Sequence, residues 1–235
     1  MASIAATIKF EPAGAYEKFA QKLYFLLVEN FSPSYYVGGM VRDLLLGRPI
    51  NDIDLATAAT PDMVTKFLVA KGVKYDDNHS KFGIITVLHS QKPVEIATFR
   101  KDLSSKGRFP KVVFVKSMEI DSQRRDFSVN SLYFGQKDNK IWDFHNGLSD
   151  LKKKTVRFIG DPQKRIDQDP LRIVRALRLE FELNFKPEPA TRNALEKDLS
   201  KLSLVTKNRI ARELDKVKSD AARKKIIKII NKTLT

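Results

Sequence analysis

Residues 35–57 read YYVGGMVRDLLLGRPINDIDLAT, and the order of textures along this stretch decides the fold. Tyr35–Val37 is a short β-prone run that ends in Gly38-Gly39. Met40–Leu46 has helical spacing closed by Gly47, and Asp52–Leu55 alternates acid with aliphatic as a strand does. On a strand, residues i and i+2 share a face, so the pattern predicts that Asp52 and Asp54 project together while Ile53 and Leu55 turn to the core. Two carboxylates held that close repel, and such a pair persists comfortably only with a cation beside it. Oxygen ligation with few protein ligands suits Mg²⁺, which keeps waters and takes further ligands from phosphates. Side-chain-free backbone at a helix start can approach phosphates and offer N–H donors, and Arg42, one turn in, adds a charge-assisted contact. A phosphate cradle followed by a carboxylate pair points to a nucleoside triphosphate with its metal.

Working outward, Ala15 to Asn30 carries apolar residues at helical spacing, and Thr60-Pro61-Asp62 reads as a helix start. Ile84–His89 and Val94–Phe99 read as a hairpin joined by Ser90-Gln91-Lys92-Pro93. Leu103–Pro110 reads as a polar loop, and Lys111–Val115, Val129–Phe134 and Lys140–Phe144 read as further strands. After about residue 145 the texture turns helical apart from Thr155–Ile159, with helices expected over Pro189–Ser200, Leu204–Val217 and Ala221–Thr233. The expected organisation is a sheet-based domain over residues 1–150 and a basic helical domain over residues 151–235.

The 235 residues carry 43 Lys and Arg against 28 Asp and Glu, a net charge of +15. Residues 1–150 hold 20 basic and 17 acidic side chains, whereas residues 151–235 hold 23 and 11. A basic excess concentrated in one part favours a polyanionic partner, nucleic acid first, over a plain solubility surface. Absence of Cys rules out disulfides, a thiol nucleophile and thiolate zinc sites, and three scattered His are too few for a zinc cage. No window approaches the roughly 18 uninterrupted apolar residues of a membrane span. The opening MASIAATIKFEP lacks the basic and apolar regions of a secretory signal, so a cytoplasmic location is expected.

Residues 35–57, followed in order by VEIATFR (94–100), RRDFSVNSL (124–132) and DPLRIVRALR (169–178), resemble the signature of the class II tRNA nucleotidyltransferases and bacterial poly(A) polymerases. These families lie within the polymerase-β-like nucleotidyltransferase superfamily. The resemblance implies an α+β fold, with a nucleotidyltransferase head built on a mixed sheet of about five strands and then an all-helical neck. It implies that Gly38 and Gly39 hold the triphosphate with Arg42, that Asp52 and Asp54 bind the metal, and that Glu95 supplies a third carboxylate. Arg124, Arg125, Asp126 and Asn130 match a motif associated with ribose and phosphates. Asp169 and Arg172 match a pair that templates the incoming base, with Arg175 and Arg178 continuing the row. Each feature alone has a plainer reading: a solvated Asp turn, a Gly turn, Glu95 paired with an Arg, an exposed basic pair, or salt bridges along a surface helix.

The implied reaction is Mg²⁺-dependent attack of an RNA 3′-hydroxyl on the α-phosphate of CTP or ATP, with two metals sharing the charge and pyrophosphate leaving. The implied partners are the 3′ end of tRNA, CTP and ATP, with no membrane. A poly(A) polymerase, or an enzyme restricted to CC or A, would carry the same motifs; in another class, so would an RNA-binding subunit inactive without a partner. Gln168 stands where the family usually has Glu, and Ser131 where it has Ala. Asn208–Leu214 resembles its E-R-I-x-x-E-L neck helix. Body and tail domains that grip tRNA in the family are absent from these residues; a second subunit or oligomer is one source of them, and a natural short form, a split enzyme or a piece of a longer chain would read the same.

Overall fold

The computed structural model describes residues 3–5, 8–103 and 111–234. Among them an eight-stranded sheet runs in the order Ser3–Ala5, Lys140–Asp143, Tyr133–Gly135, Ser34–Val37, Asp54–Thr57, Val94–Thr98, Ile84–Val87, Tyr75–Asp76. Asp54–Thr57 lies parallel to Val94–Thr98, and the other neighbours are antiparallel. The parallel pair needs a crossover, and helix Pro61–Ala70 lies within it, started by Thr60 Oγ1, which accepts from Met63 N at 3.4 Å. The sheet is mixed as expected but wider than five strands. Ser3–Ala5 and Tyr75–Asp76 extend its two edges, where short strands pair exposed backbone groups without giving a periodic signal.

Several boundaries differ from the sequence pattern, three of them with a visible cause or a long shift. The strand predicted over Asp52–Leu55 begins at Asp54, because its neighbour turns away at Gly38 and leaves residues 52 and 53 without a ladder partner. The strand predicted from Val129 begins at Tyr133, after a 3-10 turn over Ser128–Asn130. The helix predicted over Leu204–Val217 is Lys207–Leu214, preceded by the 3-10 segment Leu199–Leu204 and extended backbone at Val205. Val112–Phe114 pairs with Arg100–Asp102 in a separate ribbon, and residues 104–110 of the predicted loop lie outside the described residues.

Alternation along the central strands divides the core. Tyr36, Leu55 and Ile96 face a large cluster that continues into the helical part through Ile173, Val174 and Leu177 of helix Leu171–Leu183 and Ile226 of helix Asp220–Leu234. Val37, Ala56, Phe99 and Tyr133 form a smaller cluster on the opposite face, closed by Tyr35 and Trp142. Burying a large apolar side chain contributes about 1.5–3 kcal/mol, so the continuous cluster binds sheet and helices into one body.

The joint between them is also hydrogen-bonded. Ser128 N donates to Arg157 O at 3.0 Å and Ile159 N to Asp126 O at 2.9 Å, with the Phe127 and Phe158 rings 4.6 Å apart. Asp150, buried, accepts from Ser128 Oγ at 2.6 Å and from Arg157 Nε at 3.0 Å. Among the described residues no helix is long and apolar enough to cross a membrane.

Gly147 starts the helix Gly147–Lys152 against this joint, and a Cβ there would stand 2.3 Å from Ser128 O. Backbone cannot yield as a flexible side chain does, so Gly147→Ala is expected to destabilise the protein by about 1–3 kcal/mol, read as a lower urea midpoint at unchanged m-value.

Candidate active site

The Gly38-Gly39 turn, the ends of the two parallel strands and the first turns of helix Leu171–Leu183 surround one cleft of about 1080 Å³. Gly38 adopts φ +77°, a conformation that favours glycine. A Cβ on Gly38 would lie 3.6 Å from Asp54 Oδ2, so the turn passes directly beside the carboxylate. Helix Gly39–Leu45 starts there. Arg42, one turn in, is held by both oxygens of Asp43 at 2.9 Å and donates to Asn130 Oδ1 at 2.7 Å.

Asp54 pairs in register with Val37 on one side and Glu95 on the other. Asp52, just ahead of the strand, is exposed, as is Glu95, and Asp54 is half-buried; all three line the cleft. Burial raises the Asp54 carboxyl to about 7, reinforced by Glu95 and Asp52 and opposed by Arg125 and Lys216. The sign follows: the folded state holds this proton more tightly than the unfolded chain, so the group's contribution to stability falls as pH rises from about 4 toward 7. A cation at the cluster relieves the same repulsion.

Among the described residues no three or more His, Cys, Asp or Glu converge as a complete metal cage. The donors facing the cleft are oxygen-only and partial in number, which fits a hard divalent ion that completes its shell with water and substrate phosphate.

Tyr16, from helix Ala15–Asn30, pins this cluster. Its hydroxyl accepts from Ile53 N at 2.9 Å and donates to Pro93 O at 3.1 Å, tying the backbone between the two aspartates to the segment leading to Glu95. Burial, with the three carboxylates nearby, pushes the Tyr16 hydroxyl up to about 12, so it stays protonated and able to donate.

A second layer holds the arginines. Buried Asp121 accepts from Arg124 Nε at 2.8 Å, Arg125 Nη2 at 3.1 Å, Tyr133 OH at 2.6 Å and Arg100 N at 3.0 Å. Arg125 also donates to Tyr133 OH at 3.0 Å and lies over that ring at 4.9 Å. Burial alone would raise Asp121, yet Arg124 and Arg125 hold it down to about 2. Asp126 accepts from Phe127 N at 2.8 Å and from Arg175 Nε at 2.5 Å; burial again opposes ionisation, and Arg175 and Arg172 prevail to keep the carboxyl below its usual range. Glu213, buried, lies 3.0 Å from Arg178 Nη1 and 4.0 Å from Arg175 Nη1.

The remaining pair lines the same cleft. Asp169, in extended backbone at the end of helix Pro162–Gln168, accepts from Arg209 Nη2 at 2.9 and 3.1 Å. Arg172 Nη1 donates to Arg165 O at 2.7 Å and to Gln168 Oε1 at 2.9 Å, and Arg165 Nη1 shares that oxygen at 2.8 Å. The neutral amide thus still orients Arg172. The cleft lining therefore includes every sequence-predicted site residue: Asp52, Asp54, Glu95, Gly38, Gly39, Arg42, Arg124, Arg125, Asp126, Asn130, Asp169, Arg172, Arg175 and Arg178. Sequence reasoning missed Tyr16, Asp43, Asp121 and Tyr133. Asp121 was findable from its i, i+3 and i, i+4 spacing to Arg124 and Arg125; Tyr16 carries no local signal.

Two outcomes test this arrangement. Asp121→Asn leaves buried guanidinium charge underpaired and is expected to cost about 3–5 kcal/mol. Because the folded pKa of Asp121 lies below its unfolded value, its stabilisation is present above about pH 4 and disappears as pH falls through 2. The variant's acid denaturation curve therefore loses that portion. Tyr16→Phe removes two hydrogen bonds while keeping the ring, and a loss of about 1–3 kcal/mol is expected in chemical denaturation.

Known proteins resemble the chain in sequence and in fold. A CCA-adding enzyme of Lactobacillus delbrueckii subsp. bulgaricus is 38% identical over 205 residues, 86% of this chain and 50% of that protein. The crystal structure of the Bacillus stearothermophilus CCA-adding enzyme in complex with CTP superposes with a TM-score of 0.79 at 32% identity, covering 94% of this chain and 53% of that one. The Thermotoga maritima CCA-adding enzyme complexed with tRNA_CCA gives 0.73 at 26% identity, covering 95% and 53%. The chain thus spans about half the length of the relatives it matches. Residues 34–157, from the strand ahead of the glycine turn to the joint behind Asp126, match the Poly A polymerase head domain, and by that match the chain belongs to the poly(A) polymerase head domain family.

Proposed function

We propose that this chain is an RNA nucleotidyltransferase that adds C and A residues from CTP and ATP to the 3′ end of tRNA, working in the cytoplasm. The observation that carries the reading is the convergence, in one cleft, of a glycine turn, three carboxylates and an Asp–Arg pair. Relatives named CCA-adding enzymes, one of them bound to CTP, support it. Residues 1–150 act as the catalytic head and residues 151–235 as the neck that selects the base and meets the RNA.

In this reading the Gly38 and Gly39 backbone, with Arg42 and the Arg124–Arg125 pair, takes the triphosphate. Asn130 and Asp126 bond the ribose. Asp169 accepts from the exocyclic amine shared by C and A, and Arg172 donates to a ring nitrogen or carbonyl, so G and U are refused. Arg209 and Gln168 hold that pair in its reading geometry. The RNA 3′-oxygen attacks the α-phosphorus, the bond from that phosphorus to the β-phosphate bridging oxygen breaks, and pyrophosphate leaves. Mg²⁺ held by Asp52 and Asp54, with Glu95 beside them, would supply positive charge to the attacking and leaving oxygens.

The test is incubation of the chain with tRNA lacking its 3′ CCA, Mg²⁺ and labelled CTP and ATP, with sequencing of the extended ends. Incorporation of CCA is expected; long tails from ATP alone would instead identify a poly(A) polymerase, and label equal to that of Asp52→Ala/Asp54→Ala would overturn the transfer reading. Asp54→Asn is expected to reduce transfer to background while raising the melting temperature in chelator at pH 8, because it removes one of three mutually repelling charges.

A further inference from the structure

Three lysines line the cleft. Lys92, in the turn before Val94–Thr98, donates from Nζ to Asn51 O at 2.9 Å. Lys216 and Lys218 flank buried Val217 where the chain leaves helix Lys207–Leu214, and Lys218 Nζ donates to Asn51 Oδ1. All three are exposed and line the cleft. Asn51 is thereby gripped from the sheet and from the helical part at once, immediately ahead of Asp52.

Lys216 differs from its two neighbours. Its ion pair is with Glu213 at 3.8 Å, a carboxylate that Arg178 already holds at 3.0 Å, and its side chain is 54% exposed. The arginines deeper in the cleft are bound to Asp43, Asp121, Asp126, Gln168, Glu213 and Asp169 at hydrogen-bonding distances. Lys216 is thus held more loosely than those arginines and can turn to an incoming anion at small cost.

Sheet order says which anion. Val37 and the glycine turn adjoin one edge of Asp54, and Glu95, with Lys92 three residues before it, adjoins the other. In an in-line displacement the leaving pyrophosphate and the attacking hydroxyl lie on opposite sides of the reacting phosphorus. With the triphosphate on the glycine side, the RNA strand arrives on the lysine side. There its last phosphates approach three carboxylates, and the repulsion requires local positive charge. A compact ammonium on a flexible stem suits one phosphate in several poses better than a fixed guanidinium fork.

We propose that Lys92, Lys216 and Lys218 form the seat for the terminal phosphodiester of the RNA strand being extended, with Lys216 making the main contact. The proposal rests on the transfer reading above and deepens it by separating where the primer and the nucleotide bind.

The experiment measures binding of the full chain to fluorescently labelled tRNA lacking its terminal A by anisotropy across a salt series, for wild type, Lys216→Ala and Lys216→Arg, with thermal melts to confirm folding. Lys216→Ala is expected to weaken RNA binding about 3–10-fold at low salt and to reduce the slope of log K against log salt by about 0.7. Lys216→Arg should restore most of both. In transfer assays the KM for RNA should rise by the same factor while the KM for ATP stays at the wild-type value. Unchanged RNA affinity and slope in a folded Lys216→Ala protein, or a rise in the ATP KM alone, overturns the proposal. Wild-type protein that binds RNA but incorporates no nucleotide would overturn the transfer reading instead, and the binding series would still decide the lysine seat.

Discussion

Asp54 lies between Val37 and Glu95, and the register of those two pairings governs the rest of the molecule. One pairing brings the glycine turn against the carboxylate; the other sets a second acid in line with the first. Like charges in such proximity oppose folding, and the structure meets that opposition with rigid backbone as well as with the positive charge of Arg125 and Lys216. The sheet that enforces the register buries Leu55 and Ile96 almost completely, so the strands cannot slip without exposing the core.

Around this acidic centre the positive charge is distributed in an ordered way. Arg124 and Arg125 share Asp121, Arg175 takes Asp126, Arg178 takes Glu213 and Arg209 takes Asp169. Each guanidinium is fixed by a carboxylate, near in sequence for Arg124 and Arg125 and distant for the others, which leaves its remaining donors aimed by packing instead of by chance. The pairs also join the sheet to the helices: Asp126 lies beside the Phe127–Phe158 bridge, and its partner Arg175 sits on helix Leu171–Leu183. The acidic centre and the arginine row therefore share one mechanical frame.

The sequence showed the central elements because their signals are local. Gly38-Gly39, the alternation at Asp52–Leu55 and the row Arg172, Arg175, Arg178 each declare themselves within a few residues. What stayed hidden depends on distance along the chain. The end of the strand at Asp54 is decided by a turn in its neighbour, and the edge strands Ser3–Ala5 and Tyr75–Asp76 are too short to show a period. Tyr16 reaches a peptide 37 positions away, and no pattern around Tyr16 indicates that. The arginine row was visible as a ridge, but its anions, Asp126 and Glu213, come from two separate segments far along the chain.

That tyrosine has a bearing on what counts as the smallest working unit. The family match begins at residue 34, whereas the hydroxyl that clamps the peptide between the aspartates belongs to a helix ending at Asn30. Boundaries drawn from resemblance alone would therefore cut away a brace of the carboxylate cluster. A minimal version designed from this chain has to start upstream of the recognisable region.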